Sequence, residues 1–398
     1  MSGETTTPRN KNGPLDDLRV LEVGNIVAGP FAGSILADLG ADVVKIEHPE
    51  TGDFVRSSGD AGTAIFHALN RNKRSVALDL KQASDLEALY ELVEVADVFI
   101  QNLGPGTASR LDIDYSSLKQ RNSKLIYLSI DGFRAGPYAD YPGMDVVAEA
   151  MSGLMSVTGE SGGQPLRVGT SIADMGSALY GLLGVMIALR ERKRTGQGQR
   201  VHGTLFEAVA HWMGYWLTYS DQFDRDPDPL GASHPNWGLY DVFKMEGGWL
   251  FIGVTNDRHW ETFCEVVGMK ELQIDERFKT ASDRLRNKPE LLDSVQEHVE
   301  VMDRETLFNR LATEGVPAAP VKQPSDLHDD SGLEAAGFIA RFETLNEDTT
   351  DELQSILAPV SGDRFETHQY RNPPAIGEHT TEVLAEWSGA SQDGATDR

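Results

Sequence analysis

Residues Leu18–Glu47 read LRVLEVGNIVAGPFAGSILADLGADVVKIE, and this stretch decides the architecture. Arg19–Val23 is a short apolar strand, and Phe31–Leu39 is helical with Pro30 in its first turn. Gly40 stops the helix and Asp42–Glu47 forms a second apolar strand. Strand, helix and strand within about thirty residues make a right-handed parallel unit. The connecting loop, Gly24-Asn25-Ile26-Val27-Ala28-Gly29-Pro30, lies where open parallel sheets bind ligands. Glu47 sits where dinucleotide enzymes place the acid that holds a ribose. The glycines here are five residues apart with a proline behind them, so the GxGxxG fingerprint is absent and the NAD reading is disfavoured.

Working outward, Arg74–Leu80, Val98–Gln101, Leu125–Ile130 and Gly198–Thr204 read as further strands, with an amphipathic helix at Ala83–Val95. Alternating strands and helices predict an α/β fold with an open, doubly wound, Rossmann-like parallel sheet. Residues 1–17 are polar and read as a disordered lead-in. The large domain's first segment then runs over 18–223. Prolines and charges at 224–236 mark a linker, and 237–325 carries a hairpin followed by helices, a smaller α+β domain. A second linker and a C-terminal segment cover 326–388, and 389–398 reads as a loose tail.

Within the first segment, Val168–Gly196 reads VGTSIADMGSALYGLLGVMIALRERKRTG. One carboxylate, Asp174, stands before the apolar run Met175–Leu189, with cations in the last turn and Gly196 as a stop. Two readings are open. Asp174 can cap the helix, or the helix start can keep it ionised in a semi-apolar pocket as a nucleophile.

Composition narrows the classes. The 398-residue chain has a formal net charge of −26 and 12 Lys against 24 Arg, which argues against nucleic-acid binding. So acidic and Lys-poor a surface suggests a salt-adapted cytoplasm. A single cysteine, Cys264, excludes an intrachain disulfide and a Cys-based metal cluster. The longest apolar run, Met175–Leu189, is too short for a membrane span, so the expectation is a cytoplasmic protein with no membrane partner and no metal.

Six segments in order resemble the class III CoA-transferases, the family of formyl-CoA, carnitine and benzylsuccinate CoA-transferases. They are VLEVGNIVAGPFAGSILADLGADVVKIE (Val20–Glu47), NRNKRSVALDLK (Asn70–Lys81), ADVFIQNLGPGTASRL (Ala96–Leu111), the Asp174 segment, KRTGQGQRV (Lys193–Val201) and PPAIGEHTTEVL (Pro373–Leu384). The resemblance implies an interlocked homodimer whose large domain combines the N-terminal half with the C-terminal tail. It places the family's catalytic aspartate on Asp174. It also implies CoA contacts at Asn25, Val27, Ala28, His48, Leu78, Lys81, Asn102, Leu103 and Arg110, with Lys81 and Arg110 as phosphate partners. Coenzyme A is then the co-substrate, and no other cofactor is expected.

Two departures shape the substrate expectation. The consecutive glycines of formyl-CoA transferases are missing, which argues against the smallest acids. The sister α-methylacyl-CoA racemases use a histidine in a Gly-His-Asp segment, and here the segment is Gly143-Met144-Asp145, which lacks that base. The expected reaction carries CoA from an acyl-CoA such as succinyl-CoA to a C4–C5 dicarboxylate such as mesaconate. Arg167 is the candidate anchor for the second carboxylate. A carnitine-type or aromatic acid would instead need Trp212, Trp216 or Trp237.

Overall fold

The computed structural model describes residues 13–229, 231–346 and 349–393. The lead-in expected at residues 1–17 falls partly outside these residues. Its described end is ordered: Leu15 N donates to Leu39 O, and Leu18 N to Leu15 O. The loose tail expected at 389–398 also lies partly outside, and the last helix runs Thr380–Asp393.

The chain divides into two units. The first comprises Met1–Met155, Arg167–Asp221 and Ser331–Arg398. Its sheet has six strands: β1 (Arg19–Val23), β2 (Asp42–Glu47), β3 (Arg74–Ala77), β4 (Val98–Gln101), β5 (Ile126–Asp131) and β6 (Arg200–Thr204). Their order is β3-β2-β1-β4-β5-β6 and every pairing is parallel. Strand order reverses between β1 and β4, so the loops after these two strands flank the crevice where such sheets receive ligands.

Strand alternation sends side chains to two covering layers. Ile100, Leu128 and Ile130 join Ala32 and Leu36 of helix α1 (Ala28–Asp38) and Ala178, Leu182 and Val185 of the Asp174 helix. Phe99 and Tyr127 join Leu89 and Leu92 of a later helix, and Val383 and Trp387 of the C-terminal helix, on the other face. The returning tail is held by polar contacts too. Arg74 pairs with Asp42 and Glu382, and Trp387 Nε1 donates to Asp42 Oδ2 at 3.3 Å.

The Asp174 helix spans Ile172–Thr195, 24 residues, and ends at Gly196 in the left-handed conformation, φ +72°. It is longer than the run counted in the sequence, and by length and composition alone it could cross a membrane. Ala173, Gly176, Ala178, Gly181, Leu182, Val185 and Ala188 are nevertheless buried. The helix expected at Leu205–Phe223 is two helices, Leu205–Trp212 and Gly214–Phe223, broken where glycine weakens the turn.

The second unit comprises Gln222–Asp330 together with Ser156–Leu166, a segment the sequence reading leaves in the first half. Tyr240–Met245, Gly248–Gly253 and Ala318–Pro320 form an antiparallel sheet. Leu250, Ile252, Trp260, Phe263, Leu291, Val295 and Leu307 fill its core. Cys264 lies buried there as a free thiol.

Candidate active site and CoA crevice

The start of the Asp174 helix distinguishes the two readings of its aspartate. The residue at its N-cap, Ser171, makes no side-chain capping bond. The free N–H groups of the first turn are instead taken by Asp145, whose Oδ1 accepts from Ala173 N at 2.8 Å and Asp174 N at 3.3 Å. Capping therefore belongs to Asp145, and the Asp174 carboxyl is left for other work. Burial, and then the negative charge of Asp145, push the Asp174 pKa up to about 7.

Local sequence explains why Asp145 arrives there. Gly132, after β5, and Gly143 pack backbone on backbone: a Cβ on either would run into the other's Cα. This brings the helix Asp145–Met151 over the start of the Asp174 helix. One turn along it, the buried Glu149 accepts from Val168 N through Oε2 at 2.8 Å. Burial and the neighbouring Asp145 carboxyl raise the Glu149 pKa as well. Asp145 and Glu149 were not among the sequence candidates. Their signal was two carboxyls four residues apart on one helix, following the Gly-Met-Asp segment.

Arg167, the predicted anchor, reaches this group of carboxyls. Its NH2 lies 3.7 Å from Asp145 Oδ2, with the side chain 54% exposed. Its Nε donates to Val168 O at 3.1 Å. Trp212 and Trp216 share the unit, but Trp216 is buried, and Trp212 packs on Gly176 and donates to Tyr180 Oη at 3.0 Å. Trp237 belongs to the second unit and packs, with tilted rings, against His234 and Tyr240.

The nine candidate CoA contacts separate into groups. Asn25, His48, Leu78 and Lys81 line one cavity of about 170 Å³, walled also by Ile46, Asp79 and Leu111. Val27 and Ala28 are buried at the start of α1, so only their backbone is on offer. Leu103 is partly buried against the core. Arg110 is exposed and donates to Thr107 Oγ1 at 2.6 Å. Asn102 turns its amide to the backbone of Asn25, accepting from N at 2.9 Å and donating to O at 2.9 Å. A larger cavity of about 900 Å³ beside the C-terminal segment includes none of the nine.

Glu47 also lines the cavity of about 170 Å³, where Arg56 grips it with Nε and NH2, both at 2.8 Å, and Ser75 Oγ donates to it at 2.7 Å. With its oxygens so occupied and the fingerprint absent, the dinucleotide reading stays disfavoured.

An open doubly wound parallel sheet, with a half-buried carboxylate at a helix start and a cavity beside the loop after β1, defines a protein of the α/β class. The chain belongs to CoA-transferase family III, matched over residues 15–380, and is a class III CoA-transferase. It is 34% identical over 393 residues to a succinate–glutarate CoA-transferase of Agrobacterium fabrum, covering 95% of this chain and 96% of that one. It is 35% identical over 400 residues to the succinyl-CoA:mesaconate CoA-transferase of Haloarcula marismortui, with 97% and 98% covered. A crystal structure of a CAIB/BAIF family protein from Brucella suis superposes with a TM-score of 0.85 at 34% identity, covering 94% of this chain and all (100%) of that one.

Proposed function

We propose that the enzyme carries CoA from succinyl-CoA to a C4 or C5 dicarboxylate, mesaconate or glutarate being the leading acceptors, with Asp174 as nucleophile. The observation that carries the reading is the Asp174 carboxyl itself, relieved of capping by Asp145 and raised to about 7. The named activities of the two relatives support the choice of acids.

In this reading an Asp174 oxygen attacks the donor thioester carbonyl, the C–S bond breaks, and CoA leaves as thiolate. The thiolate attacks the Asp174 carbonyl of the resulting anhydride and expels the donor carboxylate, leaving an aspartyl-CoA thioester. The acceptor carboxylate attacks that thioester and releases the thiolate again. The thiolate then attacks the acceptor's acyl carbon, and Asp174 departs as the carboxylate it began as. Arg167 holds the acceptor's second carboxylate. CoA lies along the crevice from Asn25 to Lys81. Racemisation is disfavoured because Met144, 62% exposed, stands where racemases carry their histidine and cannot take a proton.

We further propose a homodimer. Leu179, Leu183, Met186 and Ile187 form an exposed apolar stripe along the Asp174 helix, of the kind that a second copy covers.

The experiment is a transfer screen from succinyl-CoA to mesaconate, glutarate, itaconate, malate, γ-butyrobetaine and benzylsuccinate, read by mass spectrometry. Diacids react, and Asp174→Ala loses about 10³-fold or more in kcat, as expected for a removed nucleophile. Inert diacids alongside a reactive γ-butyrobetaine or benzylsuccinate would overturn the substrate assignment. Arg167→Ala raises KM for the acceptor far more than for succinyl-CoA. Equal rises in both would remove Arg167 as the anchor.

A further inference from the structure

The loop after β1 is pinned at each of its first three residues by side chains from three other segments. Lys45 Nζ of β2 donates to Gly24 O at 2.7 Å. The Asn102 amide holds both backbone groups of Asn25 at 2.9 Å. Asp53 Oδ1 accepts from Ile26 N at 3.1 Å. Ile26 is left with φ +68° and is 42% exposed. For a β-branched residue this left-handed conformation is strained and persists only where its surroundings impose it.

Two of the pins, Lys45 and Asp53, are themselves fixed in a buried ionic chain. Asp53 Oδ2 lies 2.8 Å from Lys45 Nζ, and Glu22 bridges Lys45 at 3.0 Å and Lys73 at 2.7 Å. All four side chains are fully buried. Lys73 also donates to Pro30 O in α1 and to Asn70 Oδ1, each at 2.9 Å. Asp53 N donates to Glu47 Oε1 at 2.9 Å, which ties the chain to the Glu47–Arg56 pair. Buried charges are costly unless fully partnered, and a core built only for stability is as well served by apolar residues. Through Lys45 and Asp53 this network reaches the backbone of the loop at the switch point.

Resting on the CoA reading given above, we propose that Glu22, Lys45, Asp53 and Lys73, together with Asn102, are positioning residues that preset Gly24–Ile26 for the nucleotide end of CoA. Binding then requires no ordering of the loop, and the strain at Ile26 is borne by the network beforehand. Asp53 is the hinge of the arrangement, since it touches both the strained N–H and the ionic chain.

The test compares succinyl-CoA with a succinyl-pantetheine thioester, which lacks the nucleotide. Asp53→Ala raises KM for succinyl-CoA about tenfold, the effect of losing one charge-assisted backbone bond, and leaves kcat within about twofold. For the pantetheine donor its kcat/KM matches the wild type. Adding Ile26→Gly brings KM back toward the wild type, because glycine adopts the left-handed conformation without a clamp. Damage to stability alone would not be rescued in this way. An unchanged KM for succinyl-CoA, an equal rise for both donors, or no rescue by glycine would each overturn the proposal. Should Asp53→Ala not fold, Ile26→Gly in the otherwise intact chain decides: relief of strain raises Tm with KM unchanged, whereas a lower Tm overturns it. His48→Ala and Lys81→Ala separate the two layers of inference. A raised KM in these with none in Asp53→Ala removes the clamp alone; no rise in any of the three removes the CoA site as well.

Discussion

At the scale of the residue, Asp145 takes the capping task at the helix start, which leaves Asp174 for the nucleophilic role proposed above. Asp145 satisfies the first-turn N–H groups, so Asp174 is surrounded by burial and by a like charge rather than by donors. Its carboxylate is consequently a stronger base and nucleophile than an ordinary aspartate, and half of it is protonated near neutrality. The acid limb of kcat/KM therefore falls near pH 7, activity rising as Asp174 ionises. Asp145→Asn keeps the capping oxygen and removes the charge, so the limb moves to lower pH. Burial is the larger cause and remains, so the limb stays above the ordinary aspartate value of 3.8. An unmoved limb would mean that Asp145 acts only as a cap. Stability carries the opposite sign. The folded pKa is above the unfolded one, so stability from this group is present below pH 3.8 and lost as pH rises through about 7. Asp174→Asn is then expected to raise Tm at pH 8 and to change it little at pH 4, as thermal melts at the two pH values would show.

At the scale of the element, the Asp174 helix is built around close approach. A Cβ at Gly176 would run into the ring of Trp212, which continues the layer through Tyr180 Oη to His211 Nδ1 at 2.5 Å. Gly176→Leu should destabilise by about 1–3 kcal/mol through overpacking, and it lies within one turn of Asp174. Differential scanning calorimetry with parallel kinetics checks this: a lower Tm accompanied by lower kcat is expected, since the turn that carries the proposed nucleophile must shift. An unchanged Tm would show that Trp212 can rotate away. In helix α2 (Gly59–Asn70), Ala61, Ala64, Ile65, Ala68 and Leu69 recur at helical spacing, yet the residues it buries are Gly62, Phe66 and Asn70, so tertiary packing decides which face is covered. Phe66 is buried there, with the Arg56 guanidinium 3.6 Å from its ring centre.

At the scale of the whole molecule, the formal charge of −26 is the governing quantity. Its core ion pairs are internally balanced, so the excess acidity lies on the surface and repels itself. Screening length shortens from ~30 Å at 0.01 M salt to ~10 Å at 0.1 M. Tm is expected to rise from low to molar KCl, and the proposed dimer, measured by light scattering, to dissociate first at low salt. A Tm indifferent to KCl would remove the salt-adaptation reading and leave the catalytic one standing. Ile187→Asp, placing another charge on the exposed apolar stripe, should yield a monomer at any salt concentration, and a dimer that survived it would show the stripe is not the interface.

The chain's local order was legible wherever covalent spacing and periodicity act alone. Leu18–Glu47 specified strand, helix and strand because apolar alternation, Pro30 and Gly40 are signals a few residues long. Gly196 likewise stops the Asp174 helix where the sequence puts it, for want of a Cβ at positive φ. The position of the candidate nucleophile was readable from six ordered segments, yet the residue that caps its helix was not. Asp145 lies 29 positions from Asp174, and no local pattern reports a contact at that separation. The same holds for Asn102 on Asn25, 77 positions apart, and for the lysines that meet over Glu22. Which carboxyl caps the helix, and which side chains hold the loop after β1, are consequences of strand order, and strand order exists only once the chain has folded.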